Sequence, residues 1–149
     1  MAKVGRAARV ASRQRVETID AGSADATKVI TAAETGELYF IIATNDVVIT
    51  LPEPQDGAYF KFIVSKVVGG GKSVIIKTAT ADTLMDGYLV QESASGNIDA
   101  LSQSNASDND KVTIGAAAAA GSHLECYSDG TKWMCQGRAT AGTIAFGDQ

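Results

Sequence analysis

The sequence predicts an all-β protein: an antiparallel β-sandwich, jelly-roll-like or closed into a barrel-like roll, with an extended N-terminal arm. Three observations predict it. Short runs rich in β-branched and aromatic residues recur along the chain, and the best of them alternate with period two. Gly, Pro, Asn and Asp interrupt these runs at close spacing. No stretch after the arm sustains a helical period. A chain of 149 residues with 45% apolar residues suits one domain that buries its core without a metal or disulfide staple.

The arm comes first. Lys3, Arg6, Arg9, Arg13 and Arg15 precede the first acid, Glu17. Beyond it stand eight basic and 17 acidic residues, so a cationic leader of residues 1–16 opens an acidic body, 17–149, of formal charge −9. The leader has too little apolar surface to offset the entropy of ordering. Val4, Ala7, Ala8 and Ala11 nevertheless share a helical face, with Arg6, Arg9 and Arg13 on another. A solvated terminus, docking onto an acidic protein surface and nucleic-acid binding all compete for this pattern. Docking is preferred, because an acidic body without a basic, aromatic-studded patch repels phosphate.

Strands are expected, in order, at Lys28–Thr31, Glu37–Ala43, Asp46–Leu51, Ala58–Val67, Ser73–Thr78, Lys111–Ile114, His123–Ser128, Lys132–Gly137 and Thr143–Phe146. Val47, Ile49 and Leu51 share one face, as do Phe60, Phe62 and Val64, and Val74 and Ile76 continue the pattern; these are the expected core. Trp133 is expected to join them. Thr44-Asn45-Asp46, Asp56-Gly57 and Gly69-Gly70-Gly71 read as turns, and Asp129-Gly130 as a hairpin. The Ser-, Asn- and Asp-rich stretch Ser93–Asp110 reads as a long surface loop with a short strand at Ile98–Leu101. Gly115 to Gly121 reads as a tight connector packed against a neighbouring segment. No repeat of about 20–50 residues is evident.

Little of the sequence suggests chemistry. Gly69-Gly70-Gly71-Lys72-Ser73 lacks the earlier glycine and the following helix that phosphate binding needs. Cys126 and Cys135 flank the hairpin. A two-residue turn sets Cys126 opposite Trp133, whereas a four-residue turn sets the cysteines opposite each other; reduced, buried thiols are preferred. With one distant histidine they miss the spacing of a metal site. His123 has Glu125 nearby but no nucleophile is identifiable. No catalytic residue, cofactor or metal is therefore expected. No apolar run approaches the ~20 residues of a membrane helix, and no charged-then-apolar signal segment opens the chain.

Thr50-Leu51-Pro52, Asp56-Gly57-x-x-Phe60-x-Phe62-x-Val64, Val74-x-Ile76 and Ser128-Asp129-Gly130-Thr131-Lys132-Trp133 together resemble a β-module of tailed-bacteriophage virion proteins. The likeness is to the small head-decoration, or capsid cement, proteins, and covers about residues 28–137. Similar strings occur in phage fibre and appendage proteins. The resemblance implies a non-enzymatic virion protein, often a homotrimer, assembled in the host cytoplasm. It would bind the major capsid protein on the outer capsid surface and bridge capsomers, with no membrane or direct nucleic-acid partner. It implies that a terminal arm reaches the shell, a role that Lys3, Arg6, Arg9, Arg13 and Arg15 would fill. The alternative it carries is an appendage module that binds a host-surface receptor or glycan. The two cysteines are not part of the pattern.

Overall fold

The computed structural model describes residues 14–104 and 108–149. Its strands are β1 (Val16–Asp20), β2 (Ala26–Val29), β3 (Leu38–Ile42), β4 (Val47–Thr50), β5 (Tyr59–Lys66) and β6 (Val74–Lys77). The second half contributes β7 (Met85–Glu92), β8 (Ile98–Gln103), β9 (Lys111–Ile114), β10 (His123–Ser128), β11 (Trp133–Thr140) and β12 (Ile144–Gly147). They form two sheets packed face to face, a seven-stranded one in the order β1-β3-β5-β10-β11-β7-β8 and a five-stranded one in the order β12-β9-β6-β4-β2. The chain is an all-β sandwich. Among the described residues no helix is long and apolar enough to cross a membrane.

Alternation fills the space between the sheets. Val47, Ile49, Leu51, Phe60, Phe62, Val64, Val74, Ile76 and Trp133 are all fully buried, as their spacing requires. Phe60 and Trp133 meet at 5.6 Å between ring centroids, and Tyr39 stacks on Phe62 at 5.3 Å.

Strand direction differs from the antiparallel expectation: both sheets are mixed. β1, β3 and β5 run parallel in one sheet, and β2, β4 and β6 run parallel in the other. The first six strands alternate between sheets, so the chain winds around the core instead of folding back in hairpins. Parallel neighbours need a crossover, and here the strand of the opposite sheet supplies it. The turns at Thr44–Asp46 and Gly69–Gly71 are accordingly corners between sheets.

The winding also gives the chain a repeat that composition conceals. Register carries Val16 to Leu38 to Lys61 in one sheet and Ala26 to Val47 to Val74 in the other. Each coil is therefore somewhat over 20 residues, but its length varies because the corners differ. Those corners are bonded to one another. The residues entering β2, β4 and β6 are Asp25, Asp46 and Ser73. Asp25 Oδ1 accepts the Asp46 amide at 3.1 Å, and Asp46 Oδ1 accepts the Ser73 amide at 2.9 Å. Lys72 Nζ adds a bond to Asp46 at 3.0 Å. These bonds, the Lys72 ammonium first, hold the Asp46 carboxyl below the usual carboxylate range.

Beyond β6 the directions mix: β8, β9 and β10 run against the earlier strands of their sheets, whereas β7 and β11 pair parallel and keep the direction of β5. β5 and β6 each meet an antiparallel neighbour, β10 and β9 respectively. β7 was not legible in the sequence, because Asp86-Gly87 reads as a turn. Gly87 lies inside the strand at φ +135°, where a Cβ would overlap the Cys135 carbonyl of β11. β8 extends the expected Ile98–Leu101 strand to Gln103 and pairs antiparallel with β7. The connector at 115–121 docks as expected: Ala118 is buried, and its carbonyl accepts the Val68 amide at 3.0 Å.

The β10–β11 connection resolves the cysteine geometry. Ser128 pairs with Trp133, leaving a four-residue loop in which Asp129 Oδ1 accepts the Thr131 amide at 2.9 Å and the Lys132 amide at 3.0 Å. Cys126 and Cys135 therefore face each other directly, both buried and free, with Sγ atoms 3.5 Å apart.

Two substitutions test this account. Gly87→Ala is expected to cost about 3 kcal/mol or more, or to prevent soluble expression, in urea unfolding. Asp46→Ala is expected to lower the thermal midpoint. Asp46→Asn should retain part of that stability, because an amide oxygen still accepts the Ser73 amide; equal loss in both variants would show that the corner bond contributes nothing.

Candidate functional site

The expected functional element is the cationic arm. Lys3, Arg6, Arg9 and Arg13 lie outside the described residues. Arg15 lies at the arm's root, immediately before β1, an edge strand of the larger sheet. Its Nε pairs with Glu37 at 3.1 Å, and its carbonyl accepts the Leu38 amide at 2.9 Å. Gln14 Nε2 also donates to the Gly36 carbonyl at 3.5 Å, so the last residues before β1 are bonded to the body.

The root itself was not anticipated. Glu17 on β1 registers with Tyr39, and Lys28 on β2 registers with Ile49, so both charged side chains occupy inward-facing positions. They sit on the edge strands of the two sheets and meet where the sandwich would otherwise gape. Lys28 Nζ bonds Glu17 at 2.8 Å and Glu34 at 2.7 Å, and lies 5.8 Å from the Tyr39 ring centroid. Glu34 ends the short 3-10 turn Ala32–Glu34 and caps it, accepting the Thr31 amide at 2.6 Å and the Thr31 hydroxyl at 2.7 Å. The Tyr39 hydroxyl donates to Glu37 at 3.2 Å.

Electrostatics follow from these contacts. Burial works against ionising Glu34, but Lys28 and the two Thr31 donors outweigh it and hold its carboxyl at about 2. The Glu17 bond, reinforced by Glu34, raises the Lys28 ammonium. Burial, then the charges of Glu34 and Glu37, pushes the Tyr39 phenol up, so it remains a neutral donor. Carboxylate oxygens of Glu17, Glu34 and Glu37 come within 4.8 Å of one another, a spacing that a cation could bridge. The Lys28 ammonium already bridges two of the three. Inward charges on edge strands also discourage another chain from adding a strand there.

Alternation held the clue that was missed. Glu17-x-Ile19 and Lys28-x-Ile30 place a charge where the pattern calls for an apolar residue, and such a residue on an edge strand must find a partner.

Elsewhere, His123 Nδ1 lies 3.1 Å from the Gly121 carbonyl oxygen. Glu125 is engaged by Lys61 at 2.5 Å, the Tyr127 hydroxyl at 2.7 Å and Gln136 at 3.1 Å. The Lys61 bond leads in holding its carboxyl at about 2, which makes it a poor proton acceptor at neutral pH. Lys72 of the glycine turn serves the corner bonds, and a strand follows it, so the phosphate-loop geometry is not formed.

Glu34 generates a pH prediction. Its carboxyl is depressed in the folded state, so its contribution is complete above about 4.5 and disappears as pH falls through about 2. Glu34→Gln is expected to cost about 1–2 kcal/mol at pH 7 after allowance for solvent screening. The gap between variant and parent in urea unfolding should narrow steadily as pH falls below about 4.5. A gap independent of pH would show that the charge is not responsible. No family model matches the chain, and no curated protein or solved structure matches it.

Proposed function

We propose that the chain is a phage capsid decoration protein, which uses its cationic arm to fasten a rigid β-body to the outer surface of the head. The observation that carries this reading is the separation of charge, with five cationic residues ahead of a body of net charge −9. The root supports it. The Arg15–Glu37 and Lys28–Glu17 pairs bind the first described residues to the edge of the sandwich, so tension on the arm would act on a closed, ion-paired corner.

A DNA-filled head pushes outward on its shell. A protein that binds across neighbouring capsomers converts binding free energy into mechanical stability by mass action. A cationic arm on an acidic shell steers docking and gives attachment that weakens with salt. In a homotrimer, three arms raise the effective concentration of each later contact. The partner in this reading is the major capsid protein, and the location is the virion exterior.

The test is co-sedimentation with DNA-free heads assembled from the major capsid protein of the phage whose genome carries this sequence. The full chain is expected to pellet with heads and to release as ionic strength rises. A variant lacking residues 1–13 keeps β1 and should remain folded in the supernatant. Full occupancy by the truncated chain overturns the arm as anchor; failure of the full chain to bind at low salt overturns the reading itself.

A further inference from the structure

Three of the four tyrosines, Tyr59, Tyr88 and Tyr127, lie on the outward face of the seven-stranded sheet. Their sequence neighbours Phe60, Cys126 and Leu89 point into the core. Tyr59 and Tyr127 pair across β5 and β10 and stack at 4.9 Å with 25° between ring planes. Tyr88 and Tyr127 are 55% and 41% exposed. Tyr88 registers with Gln136 on β11, and Tyr127 with Met134.

Between these side chains the sheet has a dent of about 200 Å³, lined by Gly87, Tyr88, Tyr127, Met134, Cys135 and Gln136. Gly87 and Cys135, neighbours in register on β7 and β11, belong to its lining, and the strands approach so closely there that a Cβ at Gly87 would overlap the Cys135 carbonyl. The walls are aromatic and thioether, and the rim is polar. The Tyr127 ring is fixed by its stacking on Tyr59 and by its hydroxyl bond to Glu125 at 2.7 Å. Gln136 donates to the same carboxylate at 3.1 Å, so its amide oxygen faces no partner among the described residues. The Tyr88 hydroxyl likewise has none among them. The Glu125 charge is neutralised by Lys61 at 2.5 Å, so the rim offers hydrogen bonds without a net charge.

These features select a ligand. The dent is smaller than the ~300–1,000 Å³ sites of drug-sized molecules and fits a single ring. A pre-oriented aromatic face attracts polarised C–H groups, and a neutral fringe of donors and acceptors suits hydroxyls better than ions. A pyranose presents both surfaces, a C–H face and an equatorial belt of hydroxyls. We propose that Tyr88, Tyr127 and Gln136 form a binding site for one pyranose ring of a neutral saccharide. The site is independent of the attachment reading. It lies across β10, β11 and β7, with β11 four strands from β1, about 19 Å at normal strand spacing, so an anchored body could hold it clear of the arm.

The test is saturation-transfer NMR on the full chain with four probes at millimolar concentration: methyl α-glucopyranoside, methyl α-mannopyranoside, methyl β-galactopyranoside and N-acetylglucosamine. At least one is expected to show transfer concentrated on the C–H groups of one ring face. Tyr127→Ala and Tyr88→Ala should each weaken that signal at least about tenfold, while Leu101→Ala on the same face leaves it unchanged. Native Trp133 fluorescence checks that each variant is folded, and the exposed Tyr88 provides the reading if Tyr127→Ala is not. No transfer to any of the four sugars overturns the proposal, as does transfer that survives both tyrosine variants. Concentration-dependent self-association in sedimentation velocity, abolished by Tyr88→Ala, also overturns it, because a second copy would then occupy the face.

Discussion

The bond between successive corners is the constraint on which the rest of this structure depends. A chain that winds around its core gains parallel neighbours in both sheets, but only if each coil enters its strand level with the one before it. Asp25 and Asp46 impose that level by taking the amide of the next corner onto a carboxylate. A shift of one residue would turn Val47 and Ile49 outward and place Val48 and Thr50 in the core. Ser73 ends the series: its hydroxyl points back to Asp46 at 3.3 Å, and the following neighbour of β6, β9, runs the other way.

A winding sandwich has open sides, and charge closes one of them. Lys28 and Glu17 occupy inward positions on facing edge strands, where apolar side chains would have been left half-wet. The pair is partly buried and surrounded by Glu34, Glu37, Tyr39 and Arg15, so each desolvated charge has a partner. The same cluster is the root of the cationic arm. In the proposed attachment, a leader joined to an ion-paired, strand-bonded edge would transmit force to the whole sheet.

The broad outer face of the larger sheet has a different character. Around the hollow, Lys61 is paired with Glu125 and Arg138 with Glu92, so charge there is compensated locally. What remains on the face is aromatic and aliphatic, including Tyr88, Tyr127, Met134 and Leu101. Tyr88 and Tyr127 stand around a shallow hollow on this surface, whose lining includes Gly87 and Cys135 where β7 and β11 lie side by side.

Much of this was legible in the residues themselves. Period-two alternation assigned Val47, Ile49, Leu51, Phe60, Phe62 and Val64 to the core, because which side of a strand a residue faces is a local property. Turn chemistry marked the corners for the same reason. Alternation does not say which strand lies alongside, so the parallel winding, the corner series and the opposition of Cys126 to Cys135 were decided by tertiary structure. β7 was hidden because Asp86-Gly87 has the local signature of a turn, and only the packing of Cys135 shows why a strand needs glycine there. The cationic leader and acidic body were plain in the sequence, since charge is counted without geometry. The Glu17–Lys28 closure and the tyrosine hollow each join residues from separate strands, and only strand order and register bring such residues within reach of one another.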